Sequence, residues 1–590
     1  MNICSMLNCN LENSEYIGVT GALWKPYDVN LRDILTIKQK FYLSEIVARI
    51  LSARKINIEE ISNFLYPTLK SSLPNPFHML DMDKAVYRIC HAIHNRENIV
   101  IFGDYDVDGA TSSALIKQYL SQIGVPTTIY IPDRICEGYG PNTQALLKLK
   151  EIGNSLCITV DCGTIAHEPI SAAKSVNLDV IVIDHHIGIN TLPDAVAVIN
   201  PNRLDETSPY TYLAGVGVSF LMLVALHKTL KEQGFFKNNQ EPNLINYLDL
   251  VALGTVCDVM PIIGLNRTFV KQGLKIMTTR QNLGLKTLSD VIGLEEKPNI
   301  YQLGFNIGPH INAGGRVGNA SLGARLLSTN NEEEALEISE KLQNFNLERK
   351  TLENQSFNEA VEQIEATIIS SNIIIATGNW HPGIIGIVAG RLKDKFFLPS
   401  IVISLENGIG KASARSIPDV DLGAAILEAK ALGIITEGGG HAMAAGFSIQ
   451  ENKIKILHEF LSQKFHNINT RKIFKVDGIV TAEAINLKLW KELQFLEPFG
   501  IGNPEPRFIL TNIRIKNSEV IGESHIRCLI YDNKTFIKGI CFRCIGTELG
   551  TTLLECTTTT LLGKISINYW RGNENIQFII EDALQHNQIR

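Results

Sequence analysis

Asn98-Ile-Val-Ile-Phe-Gly-Asp-Tyr-Asp-Val-Asp-Gly109 begins as a strand and ends as a cluster of acids. The run from Asn98 to Phe102 is β-branched and aromatic and apolar on both faces, as a strand covered on both sides must be. Three runs of the same kind follow, at Thr127–Ile131, Ser155–Val160 and Asp179–Ile183. Stretches of helical character lie between them, for example Ala110–Leu120 and Thr143–Lys150. Strands alternating with helices predict an α/β fold with a parallel, doubly wound sheet over residues 81–330. In such a sheet the active crevice lies outside the carboxyl ends of the strands.

The polar chemistry falls at those ends. Phe102 is followed by Asp104, Asp106 and Asp108; Val160 by Asp161-Cys-Gly163; Ile183 by Asp184-His-His186. A fourth apolar stretch, Leu250–Val256, is followed by Asp258. In an extended loop alternate residues point the same way, so Asp104, Asp106 and Asp108 would crowd one point. Unneutralised, that arrangement is strongly repulsive. Two divalent cations turn the repulsion into ligation, and oxygen ligands with one or two imidazoles suit Mn²⁺ or Mg²⁺. A paired-ion centre clamps the attacking and leaving oxygens of a displacement at phosphorus. Asp161 is the favoured bridging ligand and Asp108 the other candidate. A calcium-binding loop shares the DxDxDG pattern, but its twelfth position should be Glu and here is Leu115. A lone Asp after a strand is often only a helix cap. The four features arriving in this order are what favour the metal reading.

Working outward, residues 1–80 carry no recognisable chemistry. Residues 331–370, rich in Glu, Leu, Gln and Asn, predict a long connecting helix. A second α/β unit is expected over 371–470, with strands Asn372–Ala376 and Pro399–Ser404, a helix after Gly383 and a turn at Gly438–Gly440. Alternating runs such as Phe508–Lys516 and Ile526–Tyr531 predict a small β-barrel over 471–590. The 590 residues carry a net charge of -6, with 45% hydrophobic and 20% charged residues. An acidic total does not advertise nucleic-acid binding, so local basic patches must supply it. The 11 cysteines are scattered, and Cys541 and Cys544 lack a second pair at zinc-finger spacing. A reduced, cytoplasmic protein is expected. The longest apolar stretch, Leu213–Leu226, is too short to span a bilayer.

The ordered motifs GDYDVDG, DCG, DHH and GTVCDVMP resemble those of the DHH phosphoesterase superfamily. Gly308-Pro-His-Ile-Asn-Ala-Gly-Gly-Arg316, Asn346–Lys350, Asn379-Trp-His-Pro-Gly383 and Gly438-Gly-Gly-His-Ala-Met-Ala-Ala-Gly446 are similar to the RecJ family within it. The resemblance runs from about residue 20 to the C-terminus. It implies a DHH lobe and a DHHA1 lobe joined by a long helix, then an OB-fold. It further implies hydrolysis of single-stranded DNA from the 5′ end, in DNA repair and recombination, with two Mn²⁺ or Mg²⁺ ions. Carried over, Asp106, Asp108, Asp161, His185 and Asp258 are metal ligands; Asp104 and His186 are ligands or support them. Asp184 is expected to orient the histidines. The partners implied are single-stranded DNA, a single-strand-binding protein and a RecQ-type helicase. A monomer without membrane association is expected.

Further residues are candidates for holding substrate. Arg316, in a Gly-rich turn, suits bidentate contact with phosphate, or a structural ion pair. His310 is a phosphate ligand or an acid for the leaving oxygen; a structural role is the alternative. In the second lobe Ser413, Arg415, Gly439, Gly440 and His441 pair donors with glycines, as close approach to a phosphate requires. Trp380 and His381 would support that pocket. In the barrel, Arg507, Arg514, Lys516 and Lys534 interleave with Phe508, Tyr531 and Phe536, a pattern that suits strand tracking and base stacking. Arg471, Lys472 and Lys475 make another basic patch.

Overall fold

The structure, a computed structural model, describes residues 16–133, 137–366, 372–468, 471–532, 534–556, 558–570 and 573–584. The chain divides into two compact units, Pro67–Ile468 and the combination of Met1–Tyr66 with Asn469–Arg590. The described residues begin with β1 (Tyr16–Ile17), β2 (Leu23–Pro26), α1 (Leu31–Phe41) and α2 (Glu45–Ala53).

The first lobe of Pro67–Ile468 is built on β3 (Ile99–Gly103), β4 (Thr127–Tyr130), β5 (Leu156–Val160), β6 (Asp179–Ile183) and β7 (Ala197–Ile199). They form a wholly parallel sheet in the order β4-β3-β5-β6-β7. Alternate residues feed opposite cores: Ile99, Ile101, Ile158 and Ile181 enter one, Val100, Phe102, Cys157 and Val182 the other. The strand order reverses between β3 and β5. That switch point is where a crevice opens in a doubly wound sheet. The helices used below are α3 (Val107–Gln122), α4 (Gly215–Glu232), α5 (Leu248–Cys257) and α6 (Gly308–Val317).

The Leu250–Val256 stretch, grouped by its composition with the strands, is instead the body of α5. A run without polar alternation cannot be assigned by periodicity, and at this length it reads as a strand although the helix extends beyond it at both ends. The helix is buried almost throughout. Gly254 lets it press on α3, since a Cβ there would stand 2.4 Å from Thr111 Oγ1.

The expected connecting helix is α7 (Glu332–Glu365), 34 residues long. Asn331 caps it, accepting from Glu334 N at 2.9 Å, and three glutamates fill the first turn, where the helix dipole favours them. The second lobe holds β8 (Ile374–Gly378), α8 (Ile385–Phe396), β9 (Ser400–Glu406), β10 (Ile409–Arg415), β11 (Glu437–His441) and β12 (Ala444–Gln450), with sheet order β11-β12-β10-β9-β8. Gly438–Gly440 is therefore not a turn: it lies in β11, with Gly439 opposite Gly446. Packing demands the glycines. A Cβ on Gly438 would stand 2.5 Å from Phe447 Cβ, and one on Gly440 2.4 Å from Ala444 O.

The other unit contains β13 (Ile473–Val476), β14 (Gly478–Val480), β15 (Phe508–Ile521), β16 (His525–Tyr531), β17 (Phe536–Cys541), β18 (Thr558–Trp570) and β19 (Asn573–Leu584). β15 pairs with both β16 and β18, which closes the expected small barrel through β17 and β19. The described residues before Pro67 fold with this barrel. β1 and β2 form a sheet with β13, and Trp24 Nε1 donates to Asp582 Oδ2 at 2.8 Å. Ile37, Ile50 and Leu51 share a core with Phe508, Leu561 and Phe578. Arg54 and Asp477 form a buried ion pair at 2.9 Å.

Candidate metal centre

The loop after β3 is shaped by caps. Asp106 is the N-cap of α3; its Oδ1 accepts from Asp108 N at 2.8 Å and Gly109 N at 3.0 Å. Gly109 has no room for a side chain, because a Cβ would lie 2.4 Å from Asp104 O. Asp108 reaches across to the first turn of α4, where Gly215 N donates to Oδ2 at 2.6 Å and Val216 N to Oδ1 at 2.8 Å. It is thus fixed by a second helix N-terminus, a setting that favours an anion.

Asp161 follows β5 with φ at 59°, a left-handed conformation that costs a non-glycine residue about 1 kcal/mol or more. Its N–H continues the sheet by donating to Ile183 O at 2.9 Å, so the strain is held by the strand edge. Asp184 faces its own loop. It accepts from His185 N at 2.7 Å, His186 N at 3.2 Å, His186 Nδ1 at 2.7 Å and Thr164 N at 3.0 Å. It meets the ring of His186 directly and His185 through its backbone N–H. Asp258 is the C-cap of α5, so its carboxylate comes from a helix end and not a strand end.

These side chains converge. His185 Nε2 is 3.1 Å from Asp161 Oδ1, 3.6 Å from Asp258 Oδ2 and 3.7 Å from Asp108 Oδ2. His186 Nδ1 is 3.9 Å from Asp161 Oδ1. The other ring nitrogen of His185 is engaged by the backbone of Leu213, and burial, then the neighbouring His186, pushes the imidazole down to about 4. At neutral pH its Nε2 is therefore an unprotonated acceptor facing three carboxyl groups. Buried Asp161 Oδ1, His185 Nε2 and Asp258 Oδ2 have no hydrogen-bond partner. Burial, then the Asp108, Asp106 and Asp104 charges, holds the Asp161 carboxyl well above its ordinary value. Burial and the Asp108 charge push Asp258 up to about 9. For Asp108 burial and Asp106 outweigh the two amides, and it rises to about 7.

Converging unpartnered acceptors in a dry site fit cations. Three groups of side chains lie within ligand-sharing distance: Asp104, Asp106 and Asp161; Asp108, His185 and Asp258; Asp161, His185 and His186. The first two share no residue, and Asp161 recurs beside His185 in the third. The donor set, carboxylates with one or two imidazoles, is that of Mn²⁺ or Mg²⁺.

Known proteins share the sequence and the fold of this chain. The model of the DHH family N-terminal domain matches residues 98–255, that of the DHHA1 domain 370–467, and that of the RecJ OB domain 476–582. The single-stranded-DNA-specific exonuclease RecJ of Bacillus subtilis (strain 168) is 33% identical over 563 residues, 93% of this chain and 69% of the relative. The Salmonella typhimurium exonuclease of the same name is 34% identical over 527 residues, 85% of this chain and 90% of the relative. The chain belongs to the RecJ family. The crystal structure of RecJ in complex with Mn²⁺ from Thermus thermophilus is 25% identical, with a TM-score of 0.81, covering 95% of this chain and 79% of that one.

The remaining expected residues of this RecJ-family chain fall in three places. Arg316 lies in the last turn of α6, not in a turn between elements; its Nη1 donates to Gly383 O at 2.9 Å, tying the two lobes together. His310, in the first turn of α6, has both ring nitrogens engaged: Nδ1 with Asn306 O at 2.6 Å and Nε2 with Asn346 Nδ2 at 3.0 Å. Asn346 Oδ1 accepts from Arg349 Nε at 3.0 Å, and Arg349 pairs with Glu353. This bonding matches the structural reading of His310 more closely than the acid reading.

In the second lobe Ser413, Gly446 and Gly439 stand in one row across the sheet, and Arg415, Ala444 and His441 in a row two residues along. Arg415 Nη1 donates to Ser413 Oγ at 3.1 Å. A Cβ on Gly386 would meet Ser413 Oγ at 2.9 Å and Arg415 Nη2 at 3.0 Å, so the first turn of α8 lies against both. Trp380 is buried and donates to Glu359 Oε2 at 2.7 Å, while His381 Nδ1 accepts from Gly383 N at 3.1 Å.

In the barrel Phe508 is buried and Arg507 is paired with Glu581 at 2.6 Å, so neither offers a free surface. Tyr531 and Phe536 stack at 4.4 Å with Lys516 Nζ 5.0 Å from the Tyr531 ring. Arg514, opposite Tyr531 on the neighbouring strand, and Lys534 are exposed.

Sequence reasoning missed Asn200 and Asn202. Asn200 Nδ2 donates to His186 O and Thr164 Oγ1, both at 2.8 Å; Asn202 Nδ2 donates to His185 O at 2.6 Å. Together they set the loop that presents the histidines. Their signal was Asn200-Pro-Asn202 directly after the apolar run of β7.

Proposed function

We propose that this RecJ-family chain is a metal-dependent exonuclease that hydrolyses single-stranded DNA from the 5′ end to nucleotides, in DNA repair and recombination. The observation that carries it is the convergence of Asp161 Oδ1, His185 Nε2 and Asp258 Oδ2, buried and without partners, at the sheet's switch point. Two divalent ions, when bound, supply charge neutralisation at the scissile phosphate and a nucleophilic water at neutral pH. Asp104, Asp106 and Asp161 would hold one; Asp108, His185 and Asp258 would hold the other.

The chain's own groups do the rest. Asp184 keeps His186 protonated: burial opposes the charge, but that carboxylate lifts the imidazole to about 9. A cationic His186 beside Asp161 suits a phosphate oxygen. Arg316 holds the α6 segment on the second lobe. Ser413, Arg415, Gly439, Gly440 and His441 grip the terminal nucleotide, and much of the rate comes from that fixed geometry.

The reading divides the chain into an N-terminal segment (1–80), catalytic lobe (81–330), connecting helix (331–370), second lobe (371–470) and DNA-binding barrel (471–590). A single-strand-binding protein and a RecQ-type helicase are the partners that fit, because duplex must be opened before such a site can act. A cytoplasmic monomer accords with this reading; no described helix is long and apolar enough to cross a membrane.

The test is digestion of end-labelled single strands with Mn²⁺ and with chelator. Loss of label from the 5′ end, only with metal, is expected. Release from the 3′ end would overturn the polarity, and metal-independent release would overturn the mechanism.

A further inference from the structure

Tyr301 and Phe305 are 65% and 69% exposed, yet their rings stack on each other, with centroids 4.9 Å apart and planes 25° from parallel. Large aromatics one helical turn apart usually serve a core. Here the core is served by their neighbours: Gln302, Leu303 and Ile307 take the buried positions of the same segment. The pair is therefore not needed to close the fold.

It is mounted on a segment that packs against the end of α5, next to Asp258. Tyr301 caps the π-helix Gln302–Ile307, which runs directly into α6. The inner side of that segment packs on the C-terminal end of α5. Cys257 Sγ donates to Leu303 O at 3.4 Å, and a Cβ on Gly304 would touch Val256 Cγ1 at 3.7 Å. A Cβ on Gly308 would collide with Cys257 Sγ at 2.5 Å, so the approach is close. The residue after Cys257 is Asp258, a proposed metal ligand. A π-helical turn in this position is itself a mark of functional segments.

We propose that Tyr301 and Phe305 form a stacking platform for one nucleobase of the strand engaged at the metal centre, on the side from which Asp258 enters. This rests on the nuclease reading above. A phosphodiester drawn to the ions leaves its bases to be placed by other groups. An aromatic face takes any base, which suits an enzyme that must advance through every sequence. The ion ligands hold phosphate, and the exposed ring pair holds the adjoining base.

The test uses the full chain in Mn²⁺ and oligonucleotides with a single abasic site, stepped through the first six positions from the 5′ end. Wild type is expected to show a KM about tenfold higher at one position. Tyr301→Ala/Phe305→Ala should show about a tenfold higher KM on the intact strand, kcat within twofold, and no further penalty at that position. Phe305→Trp should restore both KM and the abasic profile. An unchanged KM, or an abasic profile identical in variant and wild type, overturns the platform. A change of oligomeric state without a change in KM assigns the pair to a protein contact and overturns it too. Wild type that degrades no single strand in any metal removes the nuclease reading itself, a result visible before any variant is compared.

Discussion

At the carboxyl edge of β3, β5 and β6 the polar atoms are buried, mutually repulsive and in part unbonded; on β10 and β11 of the second lobe they are half-exposed or exposed and already hydrogen-bonded where they meet. Asp161, Asp108 and His185 are almost wholly shielded from solvent, while Ser413, Gly439 and Arg415 are half-exposed and Gly440 and His441 exposed. The first edge holds Asp161 in a left-handed backbone and keeps three carboxyls above their ordinary range. The second is a regular sheet whose glycines fit closely packed strands. One region stores unfavourable electrostatics that proton uptake or bound cations relieve; the other offers ready donors to a passing anion. On the proposed reading, chemistry belongs to the first and grip to the second.

Removing a ligand from the first edge should have the largest effect. Asp161→Ala is expected to lower kcat by about a thousandfold or more, because it stands in two of the three ligand groups. Single-strand binding, followed by fluorescence anisotropy, should persist. Near-normal turnover by Asp161→Ala would erase the contrast between the lobes. In the second lobe, Arg415→Ala and His441→Ala should each raise KM about ten- to a hundredfold with a smaller change in kcat, since a charge-assisted contact to phosphate contributes roughly 1.5–3 kcal/mol. Steady-state kinetics on long strands separates the two patterns. If Arg415→Ala instead lowers kcat as Asp161→Ala does, the division into chemistry and grip fails.

The two edges also differed in how openly the sequence displayed them. Acids following β3, β5 and β6 were legible because those runs are apolar on both faces and short, which only covered parallel strands require. Asp258 was found but its element was not: Leu250–Val256 is apolar all round and buried all round, so no period marks it as helix. In the second lobe the three glycines read as a turn, because sequence shows their freedom and not the neighbours that leave no space for a Cβ. Arg316 was placed in a turn for the same reason, although α6 carries its glycines inside a helix. The pairing of Trp24 with Asp582 spans 558 positions and has no local trace at all.

A third carboxyl isolates what burial does without a cluster. Asp249, in the first turn of α5, is nearly inaccessible, and burial pushes it up to about 7; its Oδ1 accepts from Leu250 N at 2.7 Å. Its folded value is raised above the unfolded one. Its share of stability is therefore fully present below about pH 4 and is lost as pH rises through about 7. Asp249→Asn keeps the acceptor and removes the charge. It should raise stability at pH 8 by on the order of 3 kcal/mol and leave it unchanged at pH 4, as read by denaturant melts. Saturating Mn²⁺ should raise the melting temperature of wild type and Asp249→Asn alike, and more at pH 8 than at pH 5.5, because the ligands must shed protons to bind. An equal metal effect at both pH values would mean that the clustered carboxyls are not protonated in the free protein, and the first edge would lose its distinction from Asp249.

The smallest expected effect is also the most selective probe of grip. Within one strand, Gly438 and Gly440 have neighbours that forbid a side chain, whereas a Cβ on Gly439 would meet nothing within 4 Å. Gly440→Ala should destabilise the lobe by forcing the β11–β12 pair apart. Gly439→Ala should fold with an unchanged melting temperature, since in a strand alanine is no worse than glycine. If the open space over Gly439, in the row of Ser413 and beside that of Arg415, is where the terminal nucleotide comes down, the added methyl occupies it. KM should then rise about three- to tenfold with kcat preserved, and the loss should vanish in Gly439→Ala/Arg415→Ala, where the contact is already gone. A Gly439→Ala enzyme indistinguishable from wild type in KM would move the strand off β11 and leave His441 without a reason to be exposed.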